Sequence, residues 1–387
     1  MDIKKLFQEQ ENYLIEMRRW FHRHPELSLK EKLTSKKIQE ELTGMGIPFE
    51  VLAPNYGVVA TINGEGGEGK KIVLRADIDA LPVQEETGLS FASETKGVMH
   101  ACGHDAHAAM LLGAAYALNQ CKKHFAGTVY CLFQVSEENG QGYQEALEYF
   151  ETKGIDGFAG LHIWSALPEG DILLIPGTVF AGGYSWKINI HGQGGHGARP
   201  DLVHDPIKAA CDLVLRLASI PSNFYDVLDH SVVNTGIIQS GTMNNVFPSS
   251  AYIEGGMRFY KADGEKKIAE CMKKIIRGAE ETWQVNCDFE IPGGVPPVIN
   301  DIKAIEKARL LVNDVDGLEI SPQTEPICAS DNYGYFLQKY PGFYGILGAG
   351  KKDGENWPQH HCKFDIDEKA LRKGSEFMTR YALDFLK

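Results

Sequence analysis

One internal stretch of this 387-residue chain limits its possible folds more than any other. From Tyr184 to His191 the residues alternate, with Trp186, Ile188 and Ile190 on one side and Lys187, Asn189 and His191 on the other. That period of two is the mark of a half-buried strand. A helical pattern over 205–219 comes next, then strands near 231–239 and 250–259, a helix over 264–283 and a strand over 285–291. The order β-α-β-β-α-β is a split βαβ unit, complete in itself, and predicts a ferredoxin-like domain.

The flanks read differently. Residues 2–47 predict two amphipathic helices broken near His24-Pro25, with Ile3, Leu6, Phe7, Leu14 and Met17 on one apolar face and Leu33, Ile38, Leu42 and Met45 on the other. Strands follow at 58–62 and 72–76, on either side of a Gly-rich turn at 64–69. A small-residue helix at 106–118, a buried strand at 129–135, a helix at 143–153 and a strand at 158–163 continue the alternation. The Pro/Gly-rich segment 291–297 returns the chain to the same texture up to a terminal helix at 367–386. Such alternation predicts an α/β fold, a largely parallel sheet flanked by helices. The expected organisation is a first domain of residues 1–180 and 294–387, interrupted by an inserted domain of residues 181–293.

Composition removes several classes of function. A formal charge of −13 with no basic stripe argues against a nucleic-acid partner. The longest apolar stretch, Ala108 to Leu118, falls far short of the ~20 residues needed to span a bilayer. The opening residues lack the apolar core of a signal peptide. Eight cysteines are spread singly, with no CxxC pair, so reduced thiols in a cytoplasmic setting are expected rather than disulfides or a zinc ribbon.

Chemistry concentrates in Met99-His-Ala-Cys-Gly-His-Asp-Ala-His107, where a thiol, three imidazoles and a carboxylate share nine residues. Cys102 and His104 sit two apart and can face one ion. Thiolate with imidazole suits Zn²⁺ or a neighbouring transition ion better than Mg²⁺ or Ca²⁺. A His-rich loop with Cys102 as a small buried apolar group is the competing account. Three further islands lower its weight. Glu137 and Glu138 follow the strand at 129–135, and their burial demands a positive neighbour. A metal would supply one, leaving the second carboxylate to handle protons. A solvated pair of loop glutamates is the alternative for that island alone. His162 ends an apolar strand, where a satisfied core histidine is the usual finding, and His360 lies in Gln359-His-His-Cys-Lys-Phe364. All four islands fall at inferred strand ends of one sheet, where α/β proteins gather reactive groups.

Seven motifs then recur in a known order. They are Arg75-Ala-Asp-Ile-Asp-Ala-Leu-Pro82, the 99–107 segment, Ser136-Glu-Glu138, Gly160-Leu-His-Ile-Trp164, Gly194-Gly-His-Gly-Ala-Arg-Pro200, Asn245-Val-Phe-Pro248 and His360-His-Cys-Lys-Phe-Asp365. From about residue 18 to the end, the sequence resembles the aminoacylase-type metallopeptidase superfamily. Within it, the similar branch is that of hippurate hydrolases, N-acetyl-amino-acid deacetylases and plant auxin-conjugate (IAA-amino acid) hydrolases. The resemblance implies a phosphorylase/hydrolase-like catalytic domain with an inserted lid that is usually the dimer contact. It also implies two divalent metal ions per subunit (Zn, Mn, Ni or Co), held by Cys102, His104, Glu138, His162 and His360, with Cys102 bridging. Glu137 would be the general base and His196 would help polarise the scissile carbonyl. Asn245 and Arg258 would bind the substrate's carboxylate. The implied reaction is hydrolysis of N-acyl amino acids, N-acetyl or aromatic acyl; a dipeptidase or carboxypeptidase on the same machinery is the alternative, and a metal-binding scaffold a third.

The pattern departs from the wider superfamily in three places. Asp77-Ile78-Asp79 replaces His-x-Asp, so His104 would supply the missing imidazole and Asp79 would orient a ligand from behind. His361 competes with His360 in the last motif. Ser330-Asp331-Asn332 stands where relatives more often show Glu-Asp-Phe, which bears on specificity. The remaining candidates have plain readings. His22 and His24 pack or cap near the helix break, His107 supports the cluster rather than ligating, and His100 fits either role. Cys121, Cys131, Cys211, Cys271 and Cys287 read as inert core thiols, and Arg199 as a turn residue.

Overall fold

The computed structural model describes residues 2–226 and 228–387, and the chain divides into two compact units. The larger runs to Val179 and takes in Ile299–Glu325 and Tyr335–Lys387; the smaller comprises Phe180–Val298 and Pro326–Gly334. In chain order the first elements are α1 (Ile3–Arg23), α2 (Lys32–Gly44), β1 (Phe49–Leu52), β2 (Gly57–Asn63), β3 (Lys71–Asp77) and α3 (His104–Cys121). After them come β4 (Thr128–Gln134), α4 (Tyr143–Glu151), β5 (Gly157–Pro168), β6 (Asp171–Leu173) and β7 (Gly177–Phe180). Next are β8 (Gly182–His191), β9 (Gly195–His196), α5 (Pro206–Leu217), α6 (Ile220–Asn223), β10 (Ser231–Ser240) and β11 (Val246–Phe247). The chain continues through β12 (Ser250–Phe259), α7 (Gly264–Trp283), β13 (Asn286–Val295), β14 (Val298–Asn300) and α8 (Ile302–Leu311). It closes with β15 (Glu319–Ile320), α9 (Gly334–Lys339), β16 (Gly342–Gly350) and α10 (Lys369–Phe385).

An eight-stranded sheet in the order β1-β2-β4-β3-β5-β16-β6-β15 forms the centre of the larger unit. Its middle strands β4, β3, β5 and β16 are parallel, as helix-separated strands must be. The flanks are not. β1 and β2 are joined by only four residues and pair antiparallel, and β2 pairs antiparallel with β4. β6 doubles back after the two-residue turn at Glu169-Gly170, with Gly170 at φ +101°, and runs antiparallel to β16. Short turns therefore make the sheet mixed at its margins, where a largely parallel one was expected.

Helix α3 is buried on nearly every side because Ala106, Ala108, Ala109, Ala114 and Ala115 let neighbours approach. Gly113 shows how closely: a Cβ there would meet Leu14 Cδ2 at 2.5 Å and Ser375 Oγ at 2.6 Å. Leu14, Met17 and Phe21 of α1, Phe377 and Met378 of α10, and Ile72, Leu74, Phe133 and Leu161 of the sheet complete this core. Each such burial is worth about 1.5–3 kcal/mol, and together they fix where the strand ends lie.

The smaller unit has a sheet in the order β10-β12-β8-β13 with α5 and α7 beside it, the ferredoxin-like arrangement. Trp186, Ile188 and Ile190 are buried against Leu213, Leu217, Met272 and Ile276. Segment 326–334, far along the chain, clusters with this unit.

Candidate metal centre

The carboxyl ends of the parallel strands bring the larger unit's polar residues together. Pairing of β3 with β5 ends at Arg75 and Gly160, so His162 lies just beyond on β5. β3 ends at Asp77, with Asp79 two residues on, and β4 ends at Gln134, just before Glu137 and Glu138. Gly103, at φ +92°, turns the chain into α3 and delivers Cys102 and His104. A side chain at Gly103 would collide with Ile163, whose Cδ1 is 2.4 Å from the ideal Cβ position.

Four groups of donor atoms lie within 4.8 Å of one another: Cys102-His104-His162, Cys102-Glu138-His360, His104-Glu137-Glu138 and Asp77-His104-His107. Thus Cys102, His104, Glu138, His162 and His360 converge, with Glu137 beside them. Cys102 belongs to two of the groups. Its Sγ is 3.5 Å from His162 Nε2, and Glu138 Oε1 is 3.8 Å from His104 Nε2 and 3.5 Å from His360 Nε2.

Hydrogen bonds decide which nitrogens face inward. His104 Nδ1 lies 3.0 Å from the Asp79 carbonyl oxygen, which can only accept, so Nδ1 carries the proton. His104 Nε2 is left facing inward, buried and without a hydrogen-bond partner, aimed at carboxylates. Likewise His162 Nδ1 donates to the Ile163 carbonyl at 2.6 Å, turning its Nε2 toward the Cys102 sulfur. His107 differs: its Nε2 accepts the Ile163 N–H at 2.9 Å, so its Nδ1 donates to Asp77. Both nitrogens of His107 are used within the protein, and Asp77 is further bound by Arg75 Nη1 at 2.6 Å. His107 and Asp77 therefore buttress the cluster.

The electrostatics call for a cation. Burial pushes the Glu138 carboxyl up to about 7 and the Cys102 thiol well up. Burial also lowers the His104 imidazole, but Asp77 and Cys102 outweigh it and raise it well above its ordinary value. Burial and His107 hold His162 well below. A buried thiol, carboxyls and imidazoles this close together hold protons when alone, and a divalent ion would take the place of those protons. The donor set, one sulfur, three imidazoles and a carboxylate, fits Zn²⁺ and related transition ions.

Support comes from farther along the chain. Asp79 Oδ2 accepts the Glu138 N–H at 3.0 Å and the Ser28 hydroxyl at 2.7 Å, tying His104 to the Glu137-Glu138 loop. Glu31 Oε1 accepts the N–H of Ser136 at 2.8 Å, and Ser136 sits at φ +66°. Burial, then Asp79, pushes Glu31 up to about 8. Sequence reasoning missed Glu31, because nothing local marks a glutamate whose partner is 105 residues away. His360 adopts φ +68°, and its N–H bonds the Ala101 carbonyl at 2.7 Å. His361 instead stacks on Trp357 with ring centroids 4.3 Å apart, so of the two His360 faces the cluster. His100 is buried, neither ring nitrogen has a hydrogen-bond partner, and burial holds it down near 4.

Within the smaller unit, β9 pairs with β11 through His196 and Val246, placing His196 beside Asn245. Arg258 projects from β12, opposite Gly183 of β8. A Cβ at Gly183 would lie 2.8 Å from Ser330 Oγ and 3.0 Å from the Arg258 guanidinium carbon, so these groups share one notch.

An α/β unit with such donors at its strand ends defines a metallohydrolase class. The chain belongs to peptidase family M20/M25/M40, whose model matches residues 73–384. Thermostable carboxypeptidase 1 of Saccharolobus solfataricus is 35% identical over 389 residues, covering 99% of this chain and 98% of its own. N-acetyl-L-cysteine deacetylase of Bacillus subtilis is 36% identical over 380 residues, covering 96% and 88%. The crystal structure of the Bacillus subtilis YXEP protein, a dinuclear metal binding peptidase from the M20 family, superposes with a TM-score of 0.86 at 32% identity, covering 98% of this chain and 99% of that one. The protein is a hydrolase of this family. No helix among its described residues is long and apolar enough to cross a membrane.

Proposed function

We propose that this chain hydrolyses the amide bond of N-acyl amino acids, with N-acetyl or aromatic acyl groups, to a carboxylic acid and a free amino acid. One observation carries the reading: five donors converge around buried, unpartnered His104 Nε2 and Glu138 Oε1, with Glu137 alongside. Cys102, His104, Glu138, His162 and His360 would hold two divalent ions, with Cys102 common to two of the donor groups. When bound, the ions supply a Lewis acid that acidifies water and polarises the amide carbonyl. Glu137 takes the proton of the attacking water and passes it to the departing amine nitrogen. His196 donates a hydrogen bond to the carbonyl oxygen as charge develops there. Arg258 and Asn245 bind the substrate's free carboxylate by charge-assisted hydrogen bonds.

The second reading, a dipeptidase or carboxypeptidase, is favoured by the 35% identity to a carboxypeptidase. A dipeptide brings an ammonium group to the acyl side, and burying it unpaired is costly. With metal restored, N-acetyl and N-benzoyl amino acids should exceed matched dipeptides in kcat/KM by at least about tenfold, a difference of some 1.4 kcal/mol. A preference for dipeptides would favour the second reading. Turnover of no amide in the panel would leave a metal-binding scaffold.

We also infer a homodimer formed through the smaller unit. β10 is an edge strand of its sheet, and Val232, Ile237 and Ile238 on it are exposed. Unpaired backbone with apolar side chains favours pairing with a second copy. Sedimentation should give twice the 42.9 kDa chain mass, and Ile238→Lys should shift it toward one. A monomeric wild type would refute the dimer. All eight cysteines are unpaired, which supports a reducing cytoplasmic setting.

A further inference from the structure

Arg18, on α1, is 1% exposed and faces three carboxylates from two remote segments. Its Nε donates to Asp105 Oδ2 at 3.0 Å, its Nη2 to Asp365 Oδ1 at 2.9 Å and its Nη1 to Glu368 Oε1 at 3.1 Å. Asp105 directly follows His104 in the first turn of α3. Asp365 and Glu368 close the stretch that begins at His360, and residues 351–368 form no regular helix or strand. That stretch depends on side-chain and isolated backbone bonds for its place. His22 Nδ1 also bonds Asp105 Oδ2, at 2.8 Å, and Arg19 bonds Glu368 Oε2 at 2.6 Å, so both ends of the bridge are braced.

We propose that Arg18 is a positioning residue for the metal centre, its guanidinium fork setting the spacing between the His104 and His360 segments. The inference rests on the two-ion reading above and extends it to a side chain that touches no ion. A fork reaching three carboxylates is a rigid template that an ammonium group does not reproduce. The consequence is unequal. Cys102, His104 and His162 are buried, His104 on α3, His162 on β5 and Cys102 in the tight bend that opens α3, whereas His360 is 56% exposed and sits on the tethered stretch. Loosening the fork therefore weakens the group formed by Cys102, Glu138 and His360 and spares the other.

The test is titration of metal-free protein with Co²⁺, following heat and the thiolate-to-cobalt absorption. Arg18→Lys should bind one ion as the wild type does and the second at least about tenfold more weakly, which is some 1.4 kcal/mol. Glu376→Gln, which disturbs a buried carboxylate bound by Arg380 at 2.7 Å, should lower thermal stability yet bind both ions normally. If Arg18→Lys does not fold, Asp365→Asn carries the same expectation from the outer end of the bridge. Two wild-type-like affinities in the Arg18 or Asp365 variant, or equal weakening in Glu376→Gln, overturn the proposal. A wild type that binds fewer than two ions refutes the two-ion reading instead.

Discussion

Replacing Glu137 by Gln is expected to lower kcat about a hundred- to ten-thousand-fold, the range that a positioned general base contributes. The exchange keeps volume and hydrogen-bonding capacity and removes the basicity. Glu137 lies with His104 and Glu138 in one group of potential donor atoms, yet the proposed ligand set is complete without it. Metal content should therefore stay at the wild-type level, and KM should change little, because the residue acts on the proton rather than on ground-state binding. The measurement is steady-state kinetics paired with elemental analysis of the same sample. Near-normal activity at full metal content would remove Glu137 from the mechanism, and lost metal would make it a ligand.

The second large effect belongs to Cys102, the donor common to both the His162 and the His360 groups. Cys102→Ala should reduce bound metal from two ions to at most one and remove measurable hydrolysis. It should also remove the stability that metal confers. An ion present at a hundred times its dissociation constant adds about 2.7 kcal/mol to folding, so wild-type protein should melt several degrees higher with metal than after chelation. The variant should show little of that difference. A Cys102→Ala protein holding two ions would show that the sulfur is not shared.

Much of the fold could be read before the structure was known, because its signals are local. The alternation at Trp186, Ile188 and Ile190 marks one face of a strand, and the small residues of α3 mark a helix meant to be enclosed. The antiparallel flanks of the large sheet were not legible. Their direction depends on tight turns such as Glu169-Gly170, and β6 and β15 are too short to carry a hydrophobic pattern. Nor could the sequence place residues 326–334 with the smaller unit, since they lie beyond its last strand. At the centre, individual donors stood out by chemistry, but their convergence depends on strand order. The supporting residues were quieter still. Arg18 and Asp105 are 87 positions apart, and His107 is distinguished from His104 only by the N–H of Ile163 that it accepts.

The most direct measurement is anomalous-difference diffraction from crystals of the Zn²⁺-loaded protein, with data on both sides of the zinc edge. Two peaks are expected among Cys102 Sγ, His104 Nε2, His162 Nε2, Glu138 Oε1 and His360 Nε2, both within reach of the sulfur. No peak within reach of these atoms, or zinc held by His361 with His360 turned away, would contradict this expectation.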